Sequence, residues 1–391
     1  MNITQEIGGL ETSMSKNLKR QSLEENKPQE NKEPVKTSNR NLNSQAPNKR
    51  VSYNDVMATS HRNKLSDSAK HSMKTRILSA IVGLAIVVPA LFLGGWIYFA
   101  LMTFALAIAT WEILGCASKR RPIIYLIYFL FLALITYWPI FTTMVKDGLV
   151  FSRVENYFGS LYLSIIVIAF GIFLLFLLTV IYKDFSVMDA CFLLSMGILI
   201  GFGFQCLYFL RYYPYNLFGL NSGVFEFNVE NTIKPSLLLI YVIVATFATD
   251  TGAYFVGVFF GKNRMNERIS PKKTWEGFVG GILVSFILSS VIGIVFAACS
   301  YPILPTLDLN HWYLILIISA IIPLFATLGD FVFSSIKSYW GIKDYGKLIP
   351  GHGGVLDRLD SIFFAAIISA IFVFMLSSIN NGTLDWSKFL V

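Results

Sequence analysis

Charged residues are scarce in this chain, since only 14% of its 391 residues are Asp, Glu, Lys or Arg. Hydrophobic residues make up 54% of it, and the mean hydropathy is +0.59. A typical soluble domain carries charge on about a quarter of its residues. The composition therefore excludes a soluble globular protein and favours a chain that is largely embedded in a membrane.

Cysteine and histidine are also few, with four residues of each type. The cysteines are scattered at Cys116, Cys191, Cys206 and Cys299, without a CxxC pair or a neighbouring histidine cluster. Neither a zinc site nor a disulfide framework is favoured by this spacing. The net charge of +8 comes without interleaved basic and aromatic residues, so we predict no nucleic-acid partner.

The first 73 residues have a different composition, rich in Lys, Glu, Asn, Gln and Ser and almost without aromatic residues. Such a segment cannot bury enough apolar surface to fold, so we predict a disordered hydrophilic tail over 1–73. It has no secretory signal, and its glutamates argue against an organellar transit peptide. A solvated tail is favoured, with contact to anionic lipid head groups as the alternative. Residues 74–391 form a single predicted membrane domain.

Nine apolar segments after the tail approach the length needed to cross a bilayer. They are residues 77–93, 96–115, 123–143, 160–181, 187–209, 237–260, 276–299, 313–334 and 361–380. Only Gly94 and Gly95 separate the first two. We predict an all-α polytopic membrane protein with about nine transmembrane helices and a polar site facing the cytoplasm. The sequence shows no internal repeat, which disfavours an inverted-repeat transporter.

Lysine and arginine are concentrated in alternate loops, above all in 261–275 and 334–360. The positive-inside rule places these loops and the N-terminal tail in the cytoplasm, and the C-terminus outside. Both charged loops are therefore predicted to face the compartment that holds soluble nucleotides.

The segment 334–360 combines cations, carboxylates and a PGHGG turn over 350–354. Its main ionisable residues are Lys337, Lys343, Lys347, Arg358, Asp344, Asp357 and Asp360. Cations and carboxylates beside a flexible backbone suit a site for phosphate and metal. His352, within the turn, is a candidate phosphate donor or proton carrier, although a structural role is the more common one for such a residue.

Two aspartates, Asp250 and Asp330, lie within apolar segments. A carboxylate at membrane depth normally faces the bundle interior and a partner. Asp357 and Asp360 share a helix face if the last helix begins at LDRLDS. We predict that Asp330, Asp357 and Asp360 converge on one cation, with Asp250 in support, and oxygen-only ligands favour Mg²⁺. The alternative is that each aspartate pairs with a lysine or caps a helix.

The stretch SPKKTWEGF, residues 270–278, precedes another apolar segment. Thr274 is predicted to cap a helix that begins near Trp275, which would leave free N–H groups and a positive dipole facing phosphate. Lys272 and Lys273 would then bind that phosphate. The alternative is an ordinary lysine pair at a membrane boundary.

Two other acidic residues have no evident partner in the sequence. Glu112 lies at the predicted cytoplasmic end of the second apolar segment, and Asp189 lies at the start of the fifth. We interpret both as structural residues, either at the membrane interface or in hydrogen bonds.

These motifs together resemble the phosphatidate cytidylyltransferases, or CDP-diacylglycerol synthases, and more closely their bacterial members. The matching C-terminal residues are Ser334, Ile336, Lys337, Lys343, Asp344, Pro350, His352, Gly353, Gly354, Asp357, Arg358 and Asp360. TDTGAYFVG and SPKKTWEGFVGG resemble further motifs of the family, so the similarity covers about 74–380. Ser338 departs from the pattern because the family usually has arginine there; Lys343 or Lys347 would supply that charge.

The resemblance implies that CTP and phosphatidate react to give CDP-diacylglycerol and pyrophosphate at a site with Mg²⁺, and it leaves a second cation open. The implied metal ligands are Asp330, Asp357, Asp360 and Asp250. The implied phosphate-binding residues are Lys272, Lys273, Lys337, Arg358, Gly353 and Gly354. The implied catalytic residues are Asp357, Asp360, Lys343 and His352.

The expected partners are the two substrates and membrane lipids, with a homodimer as a further expectation. The expected location is a bacterial inner membrane, and an organelle or endoplasmic reticulum membrane stays open. Two other functions stay open as well. One is another CTP-dependent lipid transferase or kinase, and the other is an ion-coupled secondary transporter.

Overall fold

The computed structural model describes residues 67–117, 121–147, 154–217, 229–266, 270–351 and 353–380. Residues 1–66 of the tail predicted over 1–73 lie outside the described residues, and so does His352. Residues 67–73 belong to the first helix, so the predicted disordered segment extends too far. The predicted roles of that tail and of that histidine therefore stay predictions.

The described residues form nine α-helices and one small hairpin. The helices are α1 (Asp67–Leu93), α2 (Gly95–Ala117), α3 (Pro122–Asp147), α4 (Val154–Ile181), α5 (Val187–Leu217), α6 (Val229–Phe260), α7 (Trp275–Ala298), α8 (Trp312–Tyr339) and α9 (Leu356–Asn380). The antiparallel strands β1 (Arg264–Asn266) and β2 (Ser270–Thr274) join α6 to α7. A 3-10 turn over Leu309–His311 precedes α8. The chain is thus mainly helical, and the hairpin is an addition that the sequence analysis did not foresee.

Six of these helices are long and apolar enough to cross a membrane: α2, α5, α6, α7, α8 and α9. The described parts of α1, α3 and α4 contain shorter apolar stretches, Leu78–Leu93, Pro122–Tyr137 and Ile165–Ile181. The protein is therefore an integral membrane protein of the all-α class. The count of nine spans stays a prediction.

The predicted break between the first two apolar segments lies at Gly94. Gly94 and Gly95 have φ values of +65° and +52°, in the left-handed region that favours glycine. The buried Arg211 of α5 donates from Nε to the carbonyl of Leu91 at 2.8 Å and from Nη2 to that of Phe92 at 3.2 Å. Because these carbonyls end α1, the guanidinium caps that helix and fastens it to α5.

Helix α5 is central to the packing, because it contacts five other helices: α2, α3, α4, α6 and α9. Helices α6 and α7 pack closely through small residues. A Cβ on Gly281 of α7 would lie 2.7 Å from the carbonyl oxygen of Thr249 and 2.8 Å from the Cβ of Ala253. Thr249 and Ala253 flank Asp250 on α6, so this tight interface fixes the helical turn that carries the aspartate.

The two charged loops lie at the same end of the helix bundle. Lys273, in β2 just before α7, forms an ion pair with Asp330 in the last third of α8. The hairpin therefore packs against the half of α8 that leads into the α8–α9 segment, in agreement with the common side predicted from the loop charges.

Candidate active site

The segment that carries the candidate site begins where α8 ends. Gly341 has a φ of +63°, and its N–H donates to the carbonyl of Ser338 at 3.3 Å. The N–H of Ile342 donates to the carbonyl of Lys337 at 3.0 Å. This pair of bonds is a Schellman motif, in which a left-handed glycine stops the helix. Lys337 consequently lies in the last turn of α8, beside the start of the segment.

The predicted tight turn at PGHGG is present. The N–H of Ile349 donates to the carbonyl of Gly353 at 2.9 Å, and the reverse bond measures 3.1 Å. Gly351 and Gly353 have φ values of +78° and +89°, which side-chain-bearing residues rarely adopt. Ser79 of α1 donates from its hydroxyl to the carbonyl of Pro350 at 2.9 Å. The turn is therefore closed on itself and also tied to the first helix.

Asp357, in the first turn of α9, lies at the centre of the site. Its Oδ1 accepts a hydrogen bond from Lys337 Nζ at 3.0 Å. Its Oδ2 accepts from the backbone N–H groups of Tyr345 at 2.9 Å and Gly354 at 3.0 Å. The side chain is only 4% exposed. Asp357 thus connects α8, the intervening segment and α9 at one buried point.

Tyr345 supports this arrangement from within the segment. Its hydroxyl donates to the carbonyl of Phe333 at 3.1 Å, and Lys337 Nζ lies 5.4 Å from its ring centroid. Burial raises the pKa of Tyr345 above its usual range, and the nearby Cys116 and Asp357 add to the effect. The hydroxyl therefore stays protonated and remains a hydrogen-bond donor.

A second lysine–aspartate pair is formed by Lys273 and Asp330. Ser334 donates to Asp330 Oδ1 at 3.3 Å, and Lys273 Nζ also lies 4.1 Å from the ring centroid of Phe331. The two side chains are 26% and 29% exposed, respectively. The side chains of this pair are more exposed than those of the Lys337–Asp357 pair, although the Nζ atom of Lys273 is itself buried.

Asp250 and Asp360 complete the acidic part of the site. Asp250 is exposed and interacts electrostatically with Asp330, Asp360, Lys273 and Arg358. Asp360 is buried, accepts a hydrogen bond from the Ser361 N–H at 2.8 Å, and has Lys337 Nζ 3.9 Å from its Oδ2. Carboxylates from α6, α8 and α9 therefore lie in one neighbourhood. Asp330 and Asp357 are each paired with a lysine, which is the alternative to their predicted convergence on one cation.

The arrangement bears on the predicted metal site. Among the described residues, no three His, Cys, Asp or Glu side chains are close enough to hold one ion. Mg²⁺, however, is usually bound by one or two protein carboxylates together with substrate phosphates. Neighbouring carboxylates such as Asp330 and Asp360 repel each other and favour a cation between them. The donor chemistry therefore fits Mg²⁺, while Asp357 could join only if Lys337 moved away.

The remaining predicted basic residues lie on the surface of the bundle. Lys272 and Lys343 are exposed, and so are Arg358 and the atypical Ser338. Arg358 lies within electrostatic range of Asp250. Gly353 lies close to Asp357, since a Cβ added to this glycine would be 3.0 Å from Asp357 Oδ2. The roles assigned to these residues in phosphate binding stay predictions.

The predicted cap of α7 is confirmed. Thr274 has extended backbone, and its Oγ1 accepts a hydrogen bond from the N–H of Gly277 at 3.1 Å. Glu276 accepts from the N–H of Asn263 at 3.2 Å and from its Nδ2 at 2.9 Å. The start of α7, which follows directly on Lys273, is thus fixed both by its own cap and by the loop after α6.

Sequence reasoning found no partner for Glu112 and Asp189, and the structure provides partners for both. Asp189 forms a reciprocal cap with Ser186 at the start of α5, with bonds of 2.8–3.1 Å. Glu112 of α2 accepts from the N–H groups of Val355 at 2.9 Å and Leu356 at 2.8 Å. In the sequence, the position of Glu112 within an apolar segment indicated that it needs a partner. The sequence could not identify that partner, because every residue except proline has a backbone N–H group.

A cavity of about 680 Å³ lies beside the site, within the size range of small-ligand pockets. Phe104 and Trp111 of α2 and Tyr125 of α3 line one wall. Glu112 and residues 344–348 line the other. The apolar wall suits hydrocarbon, and the other wall carries the acidic Glu112 and Asp344 together with Lys347.

The comparison with known proteins decides the family. The cytidylyltransferase family matches residues 74–376, more than three quarters of the chain, with both lysine–aspartate pairs inside the match. The chain belongs to the cytidylyltransferase family. Every helix of the described residues contributes to this cytidylyltransferase match, and all of the predicted tail precedes it.

The alignments of this cytidylyltransferase with individual relatives extend over almost the full length of those relatives. A phosphatidate cytidylyltransferase of Staphylococcus epidermidis is 35% identical over 295 residues, which are 75% of this chain and 95% of the relative. The protein of that name from Staphylococcus haemolyticus is 32% identical over 295 residues, with the same shares. That from Staphylococcus aureus is 31% identical over 296 residues, again with the same shares.

Proposed function

We propose that this cytidylyltransferase transfers CMP from CTP to phosphatidate and so forms CDP-diacylglycerol and pyrophosphate. The observation that carries the proposal is the convergence of Lys273 and Lys337, each paired with an aspartate, at one end of an apolar helix bundle. A lipid phosphate and a soluble triphosphate can meet there. The named activity of the relatives supports the same reaction.

The reaction needs little acid–base catalysis. A phosphate monoester has a second pKa of about 6, so phosphatidate is mostly dianionic at neutral pH. One of its phosphate oxygens attacks the α-phosphorus of CTP. The bond from that phosphorus to the oxygen bridging the β-phosphate breaks, and pyrophosphate leaves with the electron pair. The main barrier is the repulsion between two polyanions, which clustered cations reduce.

The basic residues are assigned to the phosphates. Lys273 and Lys337 would exchange their aspartate partners for phosphate oxygens, so that the charges of the site are rearranged rather than newly buried. Lys272, Lys343 and Arg358, which are exposed, would contact the outer phosphates. The turn with Gly353 and Gly354 would shape the triphosphate pocket, and His352 would add a donor.

The aspartates are assigned to the cation. Asp330 and Asp360 would hold Mg²⁺, with Asp250 nearby and with Asp357 joining when Lys337 turns to a phosphate. Mg²⁺, when bound, neutralises phosphate charge and aligns the triphosphate for displacement. The protein contributes the fixed geometry, since α6, α8 and α9 hold these carboxylates on packed helices.

The wider setting follows from the same proposal. The bundle would span the membrane nine times with the site at the cytoplasmic face, and phosphatidate would enter between helices from the cytoplasmic leaflet. A bacterial inner membrane is the proposed location, supported by the staphylococcal relatives. A homodimer is proposed on the earlier expectation alone.

The decisive experiment follows a labelled phosphate. Purified protein is mixed with phosphatidate, Mg²⁺ and CTP labelled at the α-phosphate, and we expect the label to appear in the lipid together with released pyrophosphate. A CTP-dependent lipid kinase would instead transfer label from the γ-phosphate and release CDP. Label in lipid only from γ-labelled CTP would overturn the proposal.

The site assignment has a separate test. Asp357→Asn keeps the shape of the side chain but removes the charge that pairs with Lys337. We expect CTP-dependent CDP-diacylglycerol formation to fall by about 100-fold, as for other losses of preorganised charge. Asp189→Asn, which alters a helix cap elsewhere, is the matched control. Near-normal activity of a well-folded Asp357→Asn protein would exclude this assignment.

A further inference from the structure

We infer that Glu112 is a positioning residue for the reaction, because its carboxylate holds the turn and the start of α9 that carry Asp357 and Asp360. The expected effect of Glu112 on turnover rests on the proposed function. The attachment of α2 to the segment 346–356 depends only on the contacts described below.

The first observation is the contact itself. Glu112 is only 3% exposed, and each of its carboxylate oxygens accepts a hydrogen bond from a different backbone N–H. Oε1 bonds to Val355 at 2.9 Å, and Oε2 bonds to Leu356 at 2.8 Å. These are charge-assisted bonds in a buried setting, which are among the stronger hydrogen bonds in proteins. The partners are 243 and 244 residues apart in sequence, so the contact joins distant parts of the fold.

The second observation is that α9 lacks a local cap for these groups. The first N–H groups of a helix need acceptors, which Ser, Thr, Asp or Asn just before the helix usually provides. Val355, immediately before α9, has no side-chain oxygen. Asp357 serves the N–H of Gly354 at 3.0 Å, one residue farther back. Glu112 therefore supplies from α2 the cap that the sequence beside α9 does not encode.

The third observation is that the segment closes around the carboxylate from two sides. A Cβ on Gly354 would lie 2.5 Å from Oε1 of Glu112 and 2.6 Å from its Oε2. A Cβ on Gly346 would lie 2.7 Å from its Cδ and 3.0 Å from its Cγ. Gly354 is part of the PGHGG turn, and Gly346 follows Tyr345. Both glycines are required by the presence of Glu112.

These contacts link Glu112 to Asp357 through the backbone. The two N–H groups that hold Asp357 Oδ2 belong to Tyr345 and Gly354. Tyr345 precedes Gly346, and both Gly346 and Gly354 pack on the Glu112 carboxylate. A displacement of that carboxylate must therefore shift both donors to Asp357. Misplacement of a reacting group by about 1 Å can cost about 100-fold in rate.

The same contact bears on where phosphate binds. A helix N-terminus is ordinarily a favourable site for an anion. At α9 that position is already occupied by the carboxylate of Glu112. The N–H groups of Val355 and Leu356 are therefore not available to a triphosphate.

The first test reads the structure without substrate. Hydrogen exchange of peptides covering 346–360 is compared in wild type, Glu112→Ala, Glu112→Gln and Asp189→Asn, in the same detergent. We expect exchange in this segment to be about tenfold faster or more in Glu112→Ala, because a charge-assisted bond to each amide is lost. Glu112→Gln, with one carbonyl oxygen, should be intermediate. Asp189→Asn should match wild type in this segment. Unchanged exchange in Glu112→Ala would overturn the inference.

The second test reads the reaction. Glu112→Ala should lower kcat by about 100-fold, with the KM for phosphatidate within about twofold of wild type, and Glu112→Gln should recover part of the loss. Asp189→Asn should keep kcat within about twofold. Faster exchange together with normal kcat in Glu112→Ala would show that the contact does not serve the reaction. The thermal transition of each variant shows whether it is folded. If Glu112→Ala is unfolded, Glu112→Gln is compared with Asp189→Asn instead.

The third test is a double variant. Gly354→Ala alone places a methyl group against the carboxylate and should lower kcat. In the Glu112→Ala background that clash is removed, so the double variant should be no slower than Glu112→Ala alone. Fully additive losses would contradict the proposed contact. If the wild type proves to transfer the γ-phosphate instead, the exchange results still stand and only the proposed function fails.

Discussion

At the scale of single residues, both site lysines whose contacts are described are paired with aspartates. Lys337 is 15% exposed and Asp357 4%, so this pair is almost removed from water. Desolvation makes such a pair a weak source of stability, but losing one partner leaves a buried charge without compensation. The pairing is therefore best understood as a neutral resting state from which either member can turn to a substrate or a cation.

Replacement of Lys337 tests that interpretation. In Lys337→Met the Asp357 carboxylate loses its cation, and breaking a buried pair costs about 3–5 kcal/mol in soluble proteins. We expect a lower thermal transition and a loss of activity of about 100-fold or more. Lys183→Met, which removes an exposed lysine from the α4–α5 loop, is the control and should leave both measurements unchanged.

The double variant Lys337→Met/Asp357→Asn separates stability from function. Both charges are then absent, so the thermal transition should return toward that of wild type. Activity should stay low, because the proposed function also assigns this lysine to a phosphate. A double variant that recovered both properties would mean that the pair is purely structural.

At the scale of elements, local features were the ones that the sequence could predict. The cap at Thr274 and the PGHGG turn depend on neighbouring residues, and both are present. The condition that the last helix begins at LDRLDS is also met, since α9 begins at Leu356. The bonds from Ser79 to Pro350 and from Val355 to Glu112 join distant segments through backbone groups. Every residue has such groups, so the residue types carried no information about these pairings.

The PGHGG turn provides the prediction at this scale. Gly353 has a φ of +89°, and an added Cβ would lie 3.0 Å from Asp357 Oδ2. A left-handed conformation costs about 1–2 kcal/mol for a residue with a side chain, and the contact would also press on the aspartate. Gly353→Ala should lower kcat by about tenfold or more.

Gly83→Ala is the matched control for that variant. Gly83 lies in α1, and no atom lies within 4 Å of its added Cβ. The same change of residue type should therefore leave activity within about twofold of wild type. Equal effects of the two substitutions on kcat would mean that the conformation of the turn is not important for turnover.

At the scale of the whole molecule, the nine predicted apolar segments correspond one by one to the nine helices of the described residues. Segment length and hydropathy are enough for that, because backbone groups in lipid must be paired within a helix. The central position of α5 was not predicted, since which helices touch depends on shape along their whole length. Loop charge did predict that the hairpin and the α8–α9 segment share one end, and the Lys273–Asp330 pair joins the hairpin to α8 near that end.

The orientation of the bundle gives the last prediction. Cys116, Cys191, Cys206 and Cys299 are replaced by alanine, and single cysteines are then introduced as Lys343→Cys or Asn310→Cys. Both native residues are exposed, the first in the α8–α9 segment and the second in the 3-10 turn before α8. Because α8 separates these positions, and the basic loops should remain inside, they should lie on opposite sides of the membrane. In intact cells a membrane-impermeant maleimide should label only the Asn310→Cys protein, and in inverted vesicles only the Lys343→Cys protein. The reverse pattern would place the site outside, away from cytoplasmic CTP, and would contradict both the orientation and the proposed reaction.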